Sequence, residues 1–518
     1  MSPRFLAIWA LAVVLGGTAL GQSTLYTIDG SPNTDFGLSV SGVGDVNNDG
    51  IPDFVAARGR NWEMAEVFSG SNGSVIYTFN DSSSWPTSGG GDVDGDGTPD
   101  IILGAGNNGS GGAVEVRSGR TGALLYRFWG TSGDGFGIGV GDAGDVNMDG
   151  YADVIVGVPL SSEYGTWAGK ALVFSGRTGA GLYTFYGDSP GGFCGLAVSG
   201  AGDVNKDGYA DVIVGEPWRS NFAGRARVFS GKTGAVLYQF IGAPTWYLGH
   251  GVSDAGDLDQ DGNDDFLIQS SVAVTAYSGR TGTSLWSFSI TNPYVNFGTQ
   301  SMSGAGDLNG DGYPDVVLGA GYDGGSSEGV AYALSGRNGT VLFTASGDSP
   351  GDLFGLSASG LGDVNGDGHA DFVVSAADWV SPYVRVISGE EYTASWSNYG
   401  PGWPGTHGIP AFTPSNAPFI GEPITFNIGN SRGAATQGTL LVGLTEAYFP
   451  TPWDGVLLLV PSFIFSLFIP ADGLALPATI PSDATLAGLS LYLQVIEVDP
   501  GASKDHSFTR GLELVLGG

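Results

Sequence analysis

The sequence predicts an all-β chain: a seven-bladed β-propeller followed by a small C-terminal β-sandwich-like domain. Three observations carry this expectation. The nine-residue pattern D-x-[DN]-x-D-G-x-x-D occurs seven times, starting at Asp45, Asp92, Asp145, Asp203, Asp257, Asp307 and Asp363. The starts lie 47 to 58 residues apart, a period of repeat architectures and propeller blades. Glycine is abundant, at 91 of 518 residues, and charged residues make up only 14 %, which suits short strands and turns rather than helices.

The chain opens on Met1-Ser2-Pro3-Arg4, an apolar run from Phe5 to Leu15, and Ala19-Leu20-Gly21. A basic start, a short apolar core and a small-residue site read as a signal peptide over residues 1–21, cleaved after Gly21. The mature chain is then expected to be secreted, periplasmic or at the cell surface, without a membrane span. The single cysteine, Cys194, excludes an intrachain disulfide and reads as a small buried hydrophobe.

Residues 22–398 are expected to form the propeller. Six of the seven repeats start with Phe-Gly or a variant: Phe36-Gly37, Phe136-Gly137, Phe297-Gly298, Phe354-Gly355, and more loosely at Phe193 and Tyr247. The second repeat lacks it, so its first strand is expected to be short or irregular. The acidic loop follows, then an apolar β-branched run such as Asp153-Val154-Ile155-Val156-Gly157, which reads as a buried strand. A third strand ends in Ser-Gly, as in Val173-Phe174-Ser175-Gly176, and a turn leads to a fourth, such as Val236 to Phe240. Four antiparallel strands per repeat make a blade. Leu25 to Gly30 resembles a fourth strand and is expected to close the ring beside Tyr383 to Ser388, with Tyr392 to Trp396 as the rival for that slot.

Each acidic loop presents oxygen side chains at positions one, three, five and nine. These are Asp45, Asn47, Asp49 and Asp53; Asp92, Asp94, Asp96 and Asp100; Asp145, Asn147, Asp149 and Asp153; and Asp203, Asn205, Asp207 and Asp211. The remaining three loops offer Asp257, Asp259, Asp261 and Asp265; Asp307, Asn309, Asp311 and Asp315; and Asp363, Asn365, Asp367 and Asp371. A hard cation such as Ca²⁺ takes six to eight oxygens, and the glycine at position six permits the sharp turn. Up to seven Ca²⁺ sites are expected, against the alternative of metal-free Asx-type turns.

Phe-Gly, the cation loop, and Gly-Ala or Gly-Val-Pro after the second strand together resemble the FG-GAP family. That repeat builds the N-terminal propeller of integrin α-subunits and occurs in many bacterial secreted proteins. The resemblance covers about Leu25 to Trp396. It implies that the backbone carbonyl at position seven joins the ligands: Ile51, Thr98, Tyr151, Tyr209, Asn263, Tyr313 and His369.

Residues 399–423, rich in Pro and Gly, read as a linker lacking regular structure. Residues 424–518 show further strand patterns: Ile424 to Ile428, Thr439 to Gly443, Val456 to Val460, Phe463 to Ile469, Leu489 to Val498 and Leu512 to Leu516. The apolar run from Val456 to Ile469 is broken by Pro461 and reads as two core strands rather than a membrane span.

Acids outnumber bases 52 to 19, for a net charge of −33. That excess argues against nucleic-acid and anionic-membrane partners. The four histidines, His250, His369, His407 and His506, stand without recurring partners, and no metalloprotease, nucleophile-elbow, Walker or Rossmann motif occurs. The chain is therefore expected not to be an enzyme.

Alternating strand direction puts the cation loops and the Ser-Gly turns on one face of the propeller. Loops between strands two and three, and links between blades, fall on the other. Trp62, Trp167, Trp218 and Trp379 lie in the former and Trp85 and Trp246 in the latter. Aromatic anchors are enriched at binding surfaces, so these six mark an expected ligand face opposite the metals. The favoured reading is an exported calcium-binding module that binds or adheres to an extracellular protein or glycan. A structural envelope or surface component, or a polysaccharide-active enzyme, is the alternative.

Overall fold

The computed structural model describes residues 24–58, 64–80, 86–105, 111–289, 301–322, 328–378, 380–389, 395–418, 423–480 and 490–516. The expected signal peptide, Phe297-Gly298, and three of the expected ligand-face residues, Trp62, Trp85 and Trp379, lie outside them. Two compact units divide the chain, with residues 22–390 in one and 391–518 in the other.

The larger unit contains seven four-stranded antiparallel sheets among the described residues. Within each, the strand after the cation loop is an apolar run buried along its length, as in Asp153–Val158 and Asp211–Glu216. The first strands of successive sheets are neighbours, and Phe36–Gly44 of the first lies against Phe354–Gly362 of the last. Ser357 Oγ accepts the Val40 N–H at 3.0 Å across that closing contact. The arrangement is a β-propeller.

Residue eight of each cation loop seals the ring. Pro99 packs on Gly44, Ala152 on Gly91, Ala210 on Gly144, Asp264 on Gly202, Pro314 on Gly256, Ala370 on Gly306 and Pro52 on Gly362. Those glycines have φ between +61° and +89°, where a Cβ would be strained as well as obstructed.

Strand Thr24–Asp29 pairs antiparallel with Tyr383–Ile387, so the N-terminal segment supplies the outer strand of the last sheet, as expected. Of the rival segment only Ser395 and Trp396 are described, and their strand, Ser395–Tyr399, bonds to Gly511–Val515 in the smaller unit. The second sheet begins with a strand of only three residues, Thr87–Gly89.

The Phe-Gly register needs correction in two repeats. Cys194-Gly195 and Leu248-Gly249 fill the slot, with Gly195 at φ +84° and Gly249 at +83°, matching Gly137 at +84°. Cys194 and Leu248 are buried where Phe36, Phe136 and Phe354 are buried in other sheets. Phe193 and Tyr247 stand one residue earlier. A small thiol replaces a ring at Cys194, so the motif is not visible as letters.

The smaller unit has a six-stranded sheet and a three-stranded sheet whose buried faces share one core. Phe412, Ile424, Phe426 and Ile428 from one meet Leu440, Ile469, Leu493 and Leu512 from the other. The expected linker carries regular structure. Phe412–Pro414 pairs with Pro423–Ile428, and the prolines sit at strand ends, where a missing N–H is tolerated. Phe463–Ile469 is an edge strand rather than a core one: Ile464 and Phe468 are exposed, because only alternate residues face the core.

Candidate metal centres and ligand face

All seven cation loops fold alike. The carboxylate at position one accepts the N–H groups of positions five and six, as when Asp45 takes those of Asp49 and Gly50 at 3.1 and 2.8 Å. The carboxylate at position five accepts the N–H of position seven, as from Ile51 to Asp49 at 2.9 Å. These bonds curl the loop so that its oxygens converge. Carboxylate oxygens of Asp92, Asp94 and Asp100, and of Asp257, Asp259 and Asp265, lie within 4.8 Å of one another, so each trio could hold a metal ion. Asn205 Nδ2 donates to Asp211 at 3.2 Å, and its Oδ1 is buried without a partner. That orphaned oxygen, together with the all-oxygen donor set, fits a hard cation.

The aspartate at position nine has a further task that its loop does not reveal. Asp53, Asp100, Asp153, Asp211, Asp265, Asp315 and Asp371 are all fully buried. Each accepts the backbone N–H of the glycine in the Ser-Gly turn, from Gly70, Gly119, Gly176, Gly231, Gly279, Gly336 and Gly389 respectively, at 2.8 to 3.0 Å. The residue thus ties the cation loop to the turn beside it. Burial pushes these carboxyls up, against the N–H bonds that favour the charge: to about 7 for Asp153, Asp211, Asp265 and Asp315. Asp53, Asp100 and Asp371 are raised to about 6 for the same reason. A bound cation would relieve the repulsion from the other loop carboxylates, at positions one, three or five, that adds to this rise.

A second layer of aromatic latches joins several neighbouring sheets on this face. Tyr26 donates to the Gly70 carbonyl at 2.7 Å, Tyr77 to Arg120 at 2.8 Å, Tyr126 to Arg177 and Tyr238 to Arg280, both at 3.0 Å. The second glycine of the turn leaves room for the ring: a Cβ at Gly122 would meet Tyr77, and one at Gly282 would meet Tyr238. The recurring Tyr in the fourth strand and the x-Thr-Gly of the turn are the sequence signals for this latch.

On the opposite face, the three described tryptophans of the expected ligand surface are solvent-exposed: Trp167 at 52 %, Trp218 at 36 % and Trp246 at 44 %. Their neighbours make a patch across the third and fourth sheets and the links that follow them. Trp167 and Phe193 centroids lie 6.0 Å apart, Phe193 and Trp218 4.3 Å, and Phe222 and Tyr247 5.3 Å. Trp167, Phe193, Phe222 and Tyr247 all have positive φ, between +51° and +61°. Bulky residues seldom adopt that backbone, and here it presents rings outward from tight turns. Beside the patch, Arg225 bridges Glu216 at 2.7 Å and Asp188 at 2.9 Å, and Arg219 Nε reaches Asp188 at 3.2 Å.

The family described as FG-GAP-like repeat matches residues 257–318 and 307–374, and the FG-GAP repeat matches residues 140–174 and 195–229. Integrin alpha pat-2 of Caenorhabditis briggsae is 30% identical over 255 residues, covering 47% of this chain and 18% of that protein. Integrin alpha-5 of Xenopus laevis is 27% identical over 241 residues, covering 45% of this chain and 19% of that protein. A crystal structure of BBS1N in complex with ARL6DN covers 71% of this chain and 96% of its own, at 10% identity and a TM-score of 0.46. The larger unit thus carries FG-GAP repeats and is similar over them to integrin α-subunits. The chain spans about a fifth of the length of the integrin relatives it matches.

Proposed function

We propose that this chain is an exported calcium-binding propeller that serves as a binding or adhesion module for an extracellular protein or glycan, and not as an enzyme. The observation that carries the reading is the exposed aromatic patch of Trp167, Trp218 and Trp246 on the face away from the cation loops. Exposed rings are costly in water and enriched at binding anchors. Calcium is the ion favoured by seven flexible all-oxygen loops, and extracellular sites of this kind work with Kd values on the order of 10⁻⁴–10⁻³ M. The ion stabilises the ring by binding the native state, while the opposite face meets the ligand. Position-seven carbonyls of Ile51, Thr98, Tyr151, Tyr209, Asn263, Tyr313 and His369 complete the ligand sets in this reading. Among the described residues, no helix is long and apolar enough to cross a membrane.

The test is a glycan and extracellular-protein array run with Ca²⁺ and with chelator, on the natural chain and on a variant with Trp167, Trp218 and Trp246 all changed to Ala. The expected result is binding by the natural chain, loss of binding by the variant, and a Ca²⁺-dependent rise in melting temperature in both. A variant that still binds would refute the ligand face. Superimposable melting curves with and without chelator would refute the metal sites.

A further inference from the structure

The smaller unit holds a cluster of oxygens unrelated to the nine-residue loops. Glu497 and Asp499 are fully buried, as is Ser507, and Ser431 nearly so. Ser431 Oγ lies 2.8 Å from Glu497 Oε2, 3.2 Å from Asp499 Oδ2 and 2.7 Å from Ser507 Oγ. Ser507 Oγ in turn lies 3.3 Å from Glu497 Oε2. Two hydroxyls bring two hydrogens to these four oxygen–oxygen contacts. A proton on Glu497 would supply a third and still leave one contact without a hydrogen. Glu497 Oε1 is buried with no partner at all. Among the described residues no Lys, Arg or His pairs with either carboxylate. Asp499 is held charged by donors from Thr406 and Gly501, whereas a buried carboxylate without a counter-charge is strongly disfavoured, so the shortfall falls on Glu497.

We propose that Glu497, Asp499, Ser431 and Ser507 form a cation site that takes a hard divalent ion of the calcium class. Every available donor is oxygen, which selects such ions over softer metals. A cation held there would give Glu497 Oε1 the partner it lacks. The segment around Gly405 lies directly on the site: a Cβ there would collide with Ser431 Oγ and Asp499 Oδ2. Thr406 N–H donates to Asp499 Oδ2 at 2.6 Å, and His407 N–H donates to the Ser431 carbonyl at 2.8 Å. Ion binding therefore orders residues 403–408 and 430–433 together.

Hydrogen exchange of the full chain, with Ca²⁺ as the probe and with chelator, tests this. With Ca²⁺ at ten times its Kd, opening of peptides covering 403–408 and 430–433 should slow by roughly tenfold. In Glu497→Gln that slowing should vanish, while the cation loops keep theirs, and native mass spectrometry should count one Ca²⁺ fewer. Asp499→Asn should reproduce both effects. Exchange in 403–408 and 430–433 that ignores Ca²⁺ in the natural chain would overturn the proposal, and this experiment decides even where a variant fails to fold. An unchanged ion count in a folded Glu497→Gln would overturn it equally. Loss of Ca²⁺ effects at the cation loops alone would leave this site standing, which separates the two sets of metals.

Discussion

The double duty of the ninth aspartate can be isolated in one loop by comparing Asp211→Ala with Asp207→Ala. Asp211 is fully buried and accepts N–H bonds from Gly231 at 3.0 Å and from Asn205 Nδ2 at 3.2 Å, as well as from the backbone of Val204. Alanine there strands two buried backbone donors, at about 1–3 kcal/mol each, so the cost is about 2–6 kcal/mol without any metal. Asp207 lies nearer solvent and accepts one N–H, from Tyr209 at 3.2 Å; its loss costs about 0.5–1.5 kcal/mol. Either change also removes a cation ligand. At a Ca²⁺ concentration 100 times the Kd, one lost site forfeits about 2.7 kcal/mol. Hydrogen exchange of peptides covering 203–211 and 225–235, in chelator and in Ca²⁺, reads the local opening energy without assuming that the whole chain unfolds in two states. The expected pattern is a large loss for Asp211→Ala in chelator, a small one for Asp207→Ala, and a similar additional loss for both in Ca²⁺. Equal behaviour of the two variants in chelator would refute the bracket and reduce Asp211 to a metal ligand.

Local spacing carried much of the fold. The loop pattern, the Ser-Gly turns and the kinship of Leu25 to Gly30 with fourth strands placed the sheets and the ring closure, because each is written within a few residues. What joins distant segments was less legible. Asp211 meets Gly231 only after a strand, a loop and another strand have intervened, and no local pattern announces that bond. Cys194 hides a Phe-Gly slot because burial, rather than a ring, is what the position requires. Around 399–423, proline frequency suggested a linker, yet strands tolerate proline at their ends. The aromatic face followed from strand direction. The contacts that unite Trp167, Phe193 and Trp218 came from left-handed turns that non-glycine residues seldom adopt. Glu497 and Asp499 look like ordinary residues at a strand end until Ser431 and Ser507 arrive beside them.

Two further predictions follow from the ring. Deleting residues 24–29 should speed hydrogen exchange in Tyr383–Ile387, which pairs with them, and in the turn at Gly70 that Tyr26 latches; unchanged exchange in both would refute closure by the N-terminal strand. The other concerns the central cavity of about 540 Å³ lined by the first strands. Five sheets place glycine at one register of that lining, as at Gly42, Gly89, Gly200, Gly304 and Gly360, where a Cβ would crowd the preceding sheet; the other two carry Asp142 and Asp254. Burial pushes Asp142 up from 3.8 to about 6, although the Gly144 N–H bonds to it at 2.8 Å and favours its charge; Asp254 adds to the rise. A folded-state value above the unfolded one means that the native chain holds the proton more tightly. The associated stability is then present in full below about pH 4 and lost as pH rises through about 6. Asp142→Asn keeps an acceptor for Gly144 and removes the charge. Relative to the natural chain at fixed Ca²⁺, it should gain roughly 2–3 kcal/mol at pH 8, at about 1.36 kcal/mol per pKa unit, and little at pH 4. Because both proteins share every other titrating group, the difference reports Asp142 together with its coupling to Asp254. A difference between the two urea unfolding curves that does not grow between pH 4 and pH 8 would show that the cavity solvates this carboxylate after all.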